Sequence, residues 1–203
     1  MFSIIVYYPF TYMKIAILGT CGSGKTTLAK RLSKEFGIPH VELDSLKWLP
    51  NWVEEDEDVF YEKAKEAVKG DNWVTDGNYS KVGHDLIWPR ADVVIWLDYP
   101  LPIILYRLMK RILRRAFTKE VLWGGCQESL RMQFFSKRSI FVWAFKSYWK
   151  RRRAYPYLLS KYSNFKLIRV KRPQLLDLAL KDDGGLKAAD FVDADVSGNK
   201  ADD

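Results

Sequence analysis

The sequence predicts an α/β protein of three layers: a five-stranded parallel sheet in the order 2-3-1-4-5, helices on both faces, and a basic helical lid. Three observations predict it. Short β-branched or aromatic runs alternate with longer segments of helical period, the pattern of a parallel sheet built by crossover connections. A glycine-rich segment, GTCGSGKT, lies between the first run and the first helical segment. The 203 residues suit one domain, large enough to bury roughly 70% of its unfolded surface without help from disulfides.

Residues 1–12, MFSIIVYYPFTY, form an N-terminal extension. They lack a basic lead and a small-residue cleavage site and are too short to span a bilayer, so they read as an added edge segment or as the product of a start upstream of Met13. The domain proper runs over 13–180. Its strands are KIAILG, HVEL, WVTD, ADVVIWLD and FKLIRVK. A first helix runs from the glycine-rich segment to Phe36, with Leu28, Leu32 and Phe36 on one face and Gly37 and Pro39 as its stop. A second spans Asp56 to Lys69 and buries Phe60, Ala64 and either Ala67 or Val68. A third follows Pro100 with Leu101, Leu105, Leu108 and Ile112 apolar. Glu128 to Tyr157 reads as one or two basic, aromatic helices broken at Pro156, with the aromatics at spacings of helix packing. Residues 181–203, rich in Asp, Gly and Ala, are expected to be disordered.

The formal charge of +8 is unevenly spread: Arg107 to Arg172 carries nineteen Lys or Arg against Glu120 and Glu128. Such a region draws phosphate-rich ligands. Cys21 and Cys126 have neither metal-ligand nor redox spacing, which argues against zinc and against a secreted disulfide framework and places the chain in the cytoplasm.

GTCGSGKT fits G-x-x-x-x-G-K-[ST] in the strand-to-helix context that gives the motif its meaning. Glycines at 19, 22 and 24 let successive N–H groups turn inward around phosphate oxygens, and the helix adds its positive end. The nucleotide-binding residues are therefore Gly19, Thr20, Cys21, Gly22, Ser23, Gly24, Lys25, Thr26 and Thr27. Lys25 reaches the β and γ phosphates, and the Thr26 hydroxyl ligates Mg²⁺. A carboxylate at the end of a neighbouring strand is needed to hold metal-bound water. Asp76 and Asp98 both qualify; Asp76 is preferred because Gly77 allows close approach, while Asp98 suits a helix-initiating role before Pro100.

Asp44 closes the second strand beside Trp48 and Trp52, at the carboxyl edge where ligands of open α/β sheets collect. It reads either as acceptor or general base for a hydroxyl on the second substrate, with Trp48 as a wall, or as a turn cap beside core tryptophans. Arg107, Arg111, Arg114 and Arg115 fall at i, i+4, i+7 and i+8, so a helix gathers them on one side. This stripe, with the run Lys150 to Arg153, is the expected source of phosphate-contacting and catalytic arginines.

The segments GTCGSGKTT, HVELDSLKW, WVTDGNYS and ADVVIWLDYP, in this order, resemble the topology modulation proteins, small P-loop proteins within the adenylate kinase-like group of nucleoside and nucleotide kinases. The likeness covers Met13 to Leu180. It implies a kinase-like fold, Mg-ATP as donor, and Lys25, Asp44, Asp76 and the arginine helix as working positions; Asp44, Trp48, Asp76 and Tyr79 are the expected substrate-binding residues. Adenylate kinases place an arginine after their DG turn to grip the acceptor's phosphate; here Asn78, Tyr79 and Ser80 follow. That departure favours a neutral hydroxyl-bearing acceptor over a nucleoside monophosphate. The expected activity is a small-molecule phosphotransferase or NTPase. The expected partners are a nucleoside triphosphate and a small acceptor, with no membrane; a nucleic-acid-binding regulator switched by ATP is the weaker alternative.

Overall fold

The computed structural model describes residues 13–126, 139–181 and 192–193; the expected N-terminal extension and most of the tail lie outside them. β1 (Met13–Gly19) is the central strand, flanked by β5 (Asn72–Asp76) and β6 (Val93–Leu97). β2 (His40–Glu42) lies outside β5, and β7 (Lys166–Val170) lies outside β6. All pair in parallel, so the five expected strands take the order 2-3-1-4-5. Two residues of the segment expected to be disordered, Val192–Asp193 (β8), add a short parallel strand beyond β7. Parallel pairing needs only backbone groups, and β7 has an open edge there.

Alternation along β1 divides the core. Ile15 and Ile17 face α1 (Lys25–Phe36) and α5 (Leu101–Thr118), meeting Leu28, Leu32 and Ile104. Ala16 and Leu18 share the opposite core with Phe60 and Ala64 of α3 (Glu57–Ala67) and with Tyr155 and Leu159 of α6 (Ile140–Leu159). This is how a strand buried on both faces must read. Val68, rather than Ala67, completes the buried stripe of α3.

Three local expectations change. The second strand ends at Glu42, and Asp44 sits in the first turn of a short helix, α2 (Leu43–Lys47), rather than closing the strand. A small antiparallel pair, β3 (Trp48–Leu49) and β4 (Val53–Glu54), follows it. Pro156 does not break α6, which continues to Leu159. Tyr155 and Leu159, buried on either side of it, hold the last turn against Trp88 and Trp96, and this packing offsets the i−4 hydrogen bond that a proline cannot make. The part of this helical stretch at 128–138 lies outside the described residues. Finally, the aromatics of α6 do not all pack inward: Tyr148 and Tyr155 do, but Trp143, Phe145 and Trp149 stand exposed. Only one face of α6, carrying Ala144, Ser147, Tyr148, Tyr155 and Leu159, meets the core.

Candidate active site

The loop between β1 and α1 is wound by left-handed glycines. At Gly22 (φ 88°) a Cβ would lie 2.9 Å from the Ile104 carbonyl oxygen, so α5 packs too close for any side chain. Gly24, at φ 96°, caps α1 without a side-chain bond, leaving the amides of the first turn to a ligand. The buried Ser23 hydroxyl has no partner among the described residues. An orphaned hydroxyl and bare amides at a helix start are what a polyphosphate satisfies. The residues therefore fit the group.

Lys25 is buried, its Nζ 3.4 Å from the Thr20 carbonyl oxygen. Burial pushes its ammonium below the ordinary lysine value and Arg151 of α6 adds to this, while Cys21, Asp44 and Asp76 act the other way. Those four side chains surround the lysine electrostatically. Thr26 donates its hydroxyl to Asp76 Oδ2 at 2.5 Å, and His40 Nε2 donates to Asp76 Oδ1 at 2.7 Å. Thr27, one residue on, is exposed.

Asp98 is built differently. Its carboxylate accepts from Arg169 Nη2 at 2.6 Å and pairs with Arg152 Nε at 3.1 Å. The two strand-end carboxylates flank the same strand, yet only Asp76 meets the loop's threonine.

On the acceptor side, Tyr79 donates its hydroxyl to Asp44 Oδ1 at 2.6 Å. Burial, then the Asp44 charge, push the Tyr79 phenol far above its ordinary value. It remains a donor at all working pH values and fixes the carboxylate. Trp48 stands edge-on to Trp52, centroids 5.7 Å apart, half-buried rather than in the core. Gly77 (φ 145°) brings the DGN turn against Leu43.

The arginine stripe divides. Arg107 Nη1 donates to the Ser23 carbonyl at 3.1 Å, and Arg111 Nη2 reaches Cys21 Sγ at 3.5 Å. Arg114 and Arg115 instead pair with Glu120, at 3.1 and 3.4 Å. They lie about two turns beyond Arg107 and one turn, roughly 5–6 Å, beyond Arg111, past the loop and beside the acid that follows the helix. Arg115 is thus not brought to the phosphate loop.

Two residues of the site lie within the segments that the sequence singles out, but their roles there are not legible from it. Asn78 grips the loop with both amide atoms: its Nδ2 donates to the Gly19 carbonyl at 2.7 Å and its Oδ1 accepts from the Gly19 N–H at 3.3 Å. His40, on a strand of ordinary composition, is visible only once β2 and β5 pair, with Glu42 opposite Asp76.

A family model described as an AAA domain matches residues 15–120, over half of the chain. The chain belongs to the AAA domain family. Around this AAA domain, the uncharacterized protein YqaC of Bacillus subtilis is 30% identical over 129 residues, covering 63% of this chain and 71% of that protein. A cytidylate kinase of Pyrococcus horikoshii is 28% identical over 118 residues, 51% of this chain and 59% of its own length. In structure, a shikimate kinase from Acinetobacter baumannii superposes with a TM-score of 0.51 at 18% identity, covering 85% of this chain and 91% of that one. The AAA domain described here thus has a P-loop kinase-like fold.

Proposed function

We propose that this protein transfers the γ-phosphoryl group of ATP to a hydroxyl on a small, uncharged acceptor. The observation that carries the reading is Asp44: a carboxylate fixed by Tyr79, at the sheet's carboxyl edge, within electrostatic reach of the buried loop lysine. Such a carboxylate aligns a hydroxyl and receives its proton as the oxygen attacks. It also disfavours an anionic acceptor, since bringing a dianion beside it costs Coulomb energy.

Each residue then has a task. The loop amides and the Ser23 hydroxyl bind the phosphates, and Lys25 neutralises the transferring group. Thr26 and Asp76, already hydrogen-bonded to one another, would hold Mg²⁺, which when bound would supply charge neutralisation on the phosphates. Arg107 and Arg111 stiffen the loop from α5, and Arg151 of α6, whose charge is felt at Lys25, adds to the positive field around the developing charge. Positioning and electrostatics supply most of the catalysis. The kinase names borne by the relatives support this class of reaction, and HVELDSLKW with WVTDGNYS supports placement among the topology modulation proteins.

The test is ADP release measured against a panel of nucleosides, sugars and hydroxy acids with Mg-ATP. Acceptor-dependent release that Lys25→Ala abolishes is expected. Release indifferent to every acceptor, or unchanged in Lys25→Ala, would count against a phosphotransferase.

A further inference from the structure

We propose that the outer faces of α5 and α6 form a docking surface for an anionic lipid bilayer. Thirteen large apolar side chains stand exposed among the described residues, and nine of them lie on these two helices. Folding leaves such residues in water singly; gathered on adjoining elements they mark a surface that something covers. The helices adjoin through buried Leu108, Ile112 and Ala144. Their inner faces contact the phosphate loop and the core, so the outer faces have no role in the site described above.

Charge points to the partner. Each helix carries five Lys or Arg and no acid. Arg107, Arg111, Arg151 and Arg152 turn inward. Lys110, Lys146, Lys150 and Arg153 are exposed among the apolar residues. A positive, apolar surface complements phosphate headgroups over acyl chains, with tryptophan and phenylalanine at the boundary and cations at the headgroups. A nucleic acid satisfies the same charge and stacks on aromatics, but it leaves aliphatic groups wet. Here Met109 and Leu113 follow Tyr106 along α5, and Val142 precedes Trp143 on α6. Of these two, only the lipid surface covers both kinds. The sequence expectation of no membrane partner rests on the lack of a spanning or anchoring segment, and no helix among the described residues is long and apolar enough to cross a membrane. A helix pair lying on a bilayer needs neither.

The test is sedimentation of the full chain with vesicles of phosphatidylglycerol and phosphatidylcholine in equal parts, against phosphatidylcholine alone. Binding to the anionic vesicles is expected, at least roughly tenfold above the neutral ones and lost at high salt. A blue shift of tryptophan emission should accompany it, smaller in Trp143→Ser. Lys110→Glu combined with Lys146→Glu should lower the partition roughly tenfold while ATP binding is retained. No anionic preference, or a partition unmoved by charge reversal, overturns the proposal. Tighter binding to single-stranded DNA than to vesicles at equal salt overturns it in favour of a nucleic acid. A dimer that hides Trp143 from quencher and excludes vesicles overturns it in favour of a second copy.

Discussion

Asn78 and Gly19 are joined by a two-point amide clasp, with the Asn78 carboxamide donating to the carbonyl and accepting from the N–H of the same glycine. The clasp ties the turn after β5 to the first residue of the phosphate loop. Tyr155 of α6 donates to the same Oδ1 at 3.1 Å, so three elements meet at one side chain. A hydrogen bond of this kind contributes about 1 kcal/mol. Asn78→Ala should therefore raise the Kd for Mg-ATP roughly tenfold. Tyr155→Phe, which removes one bond and spares the clasp, should raise it less. Titration calorimetry of the two variants decides; equal losses would mean that Asn78 acts only through α6.

Asp76 and Asp98 end strands on either side of β1, and their variants should fail differently. Asp76→Asn keeps a hydrogen-bonding side chain between His40 and Thr26, so it should fold normally and lose Mg²⁺-dependent turnover. Asp98→Ala strands Arg169 and Arg152 beside a buried gap. It should cost about 3 kcal/mol, at the low end for a broken buried ion pair because both guanidiniums retain some access to water. Chemical denaturation alongside the activity assay separates the two.

Lys25 links the site to stability. Its folded pKa lies below the unfolded value of 10.5, so between the two the unfolded chain binds more protons and stability rises with pH. Below the folded pKa the burial penalty is fully present; above 10.5 it is gone. Lys25→Met removes it. The ligand-free variant should melt above the parent at neutral pH, and this gap should close as pH approaches 10.5, while nucleotide no longer raises its melting temperature. A variant less stable than the parent at pH 7 would show that Lys25 is not penalised by burial.

The Asp44 and Tyr79 pair should govern the second substrate alone. Asp44→Asn should lower kcat by at least roughly a hundredfold, the usual worth of a positioned base, with the KM for ATP little changed. Tyr79→Phe frees one Asp44 oxygen and should raise the acceptor's KM with a smaller effect on kcat. Steady-state kinetics with each substrate varied reads the split.

Much of this architecture is legible because periodicity reports burial. β1, β5, β6 and β7 carry apolar residues on both faces and stand inside the sheet, and the loop motif fixes where β1 gives way to α1. What the sequence conceals depends on distance in space. Arg107 and Arg115 share a helical face, but only the packing of α5 decides that one reaches Ser23 and the other Glu120. The preference for Asp76 over Asp98 follows from Gly77, yet the arginines that occupy Asp98 come from α6 and β7, far along the chain. His40 pairs with Asp76 across a strand register that no local pattern encodes. The exposed tryptophans of α6 have helical spacing like core residues, because spacing gives a face and not its direction.

Gly77 is where the acceptor turn and the fold constrain one another. Its φ of 145° lies in the region L side chains avoid, and a Cβ built there would fall 2.7 Å from Cβ of Leu43, the buried residue just before Asp44. Gly77→Ala thus combines backbone strain with a clash that no flexible side-chain tip can relieve, at a cost of at least about 2 kcal/mol. Relief requires α2 to move, and Asp44 would move with it. The variant should show a lower melting temperature together with loss of acceptor affinity, whereas Ser80→Ala, three residues on and exposed, should show neither. Should Gly77→Ala lose stability while keeping full acceptor affinity, Asp44 would be held by Tyr79 alone, and the close approach at Gly77 would serve packing rather than the site.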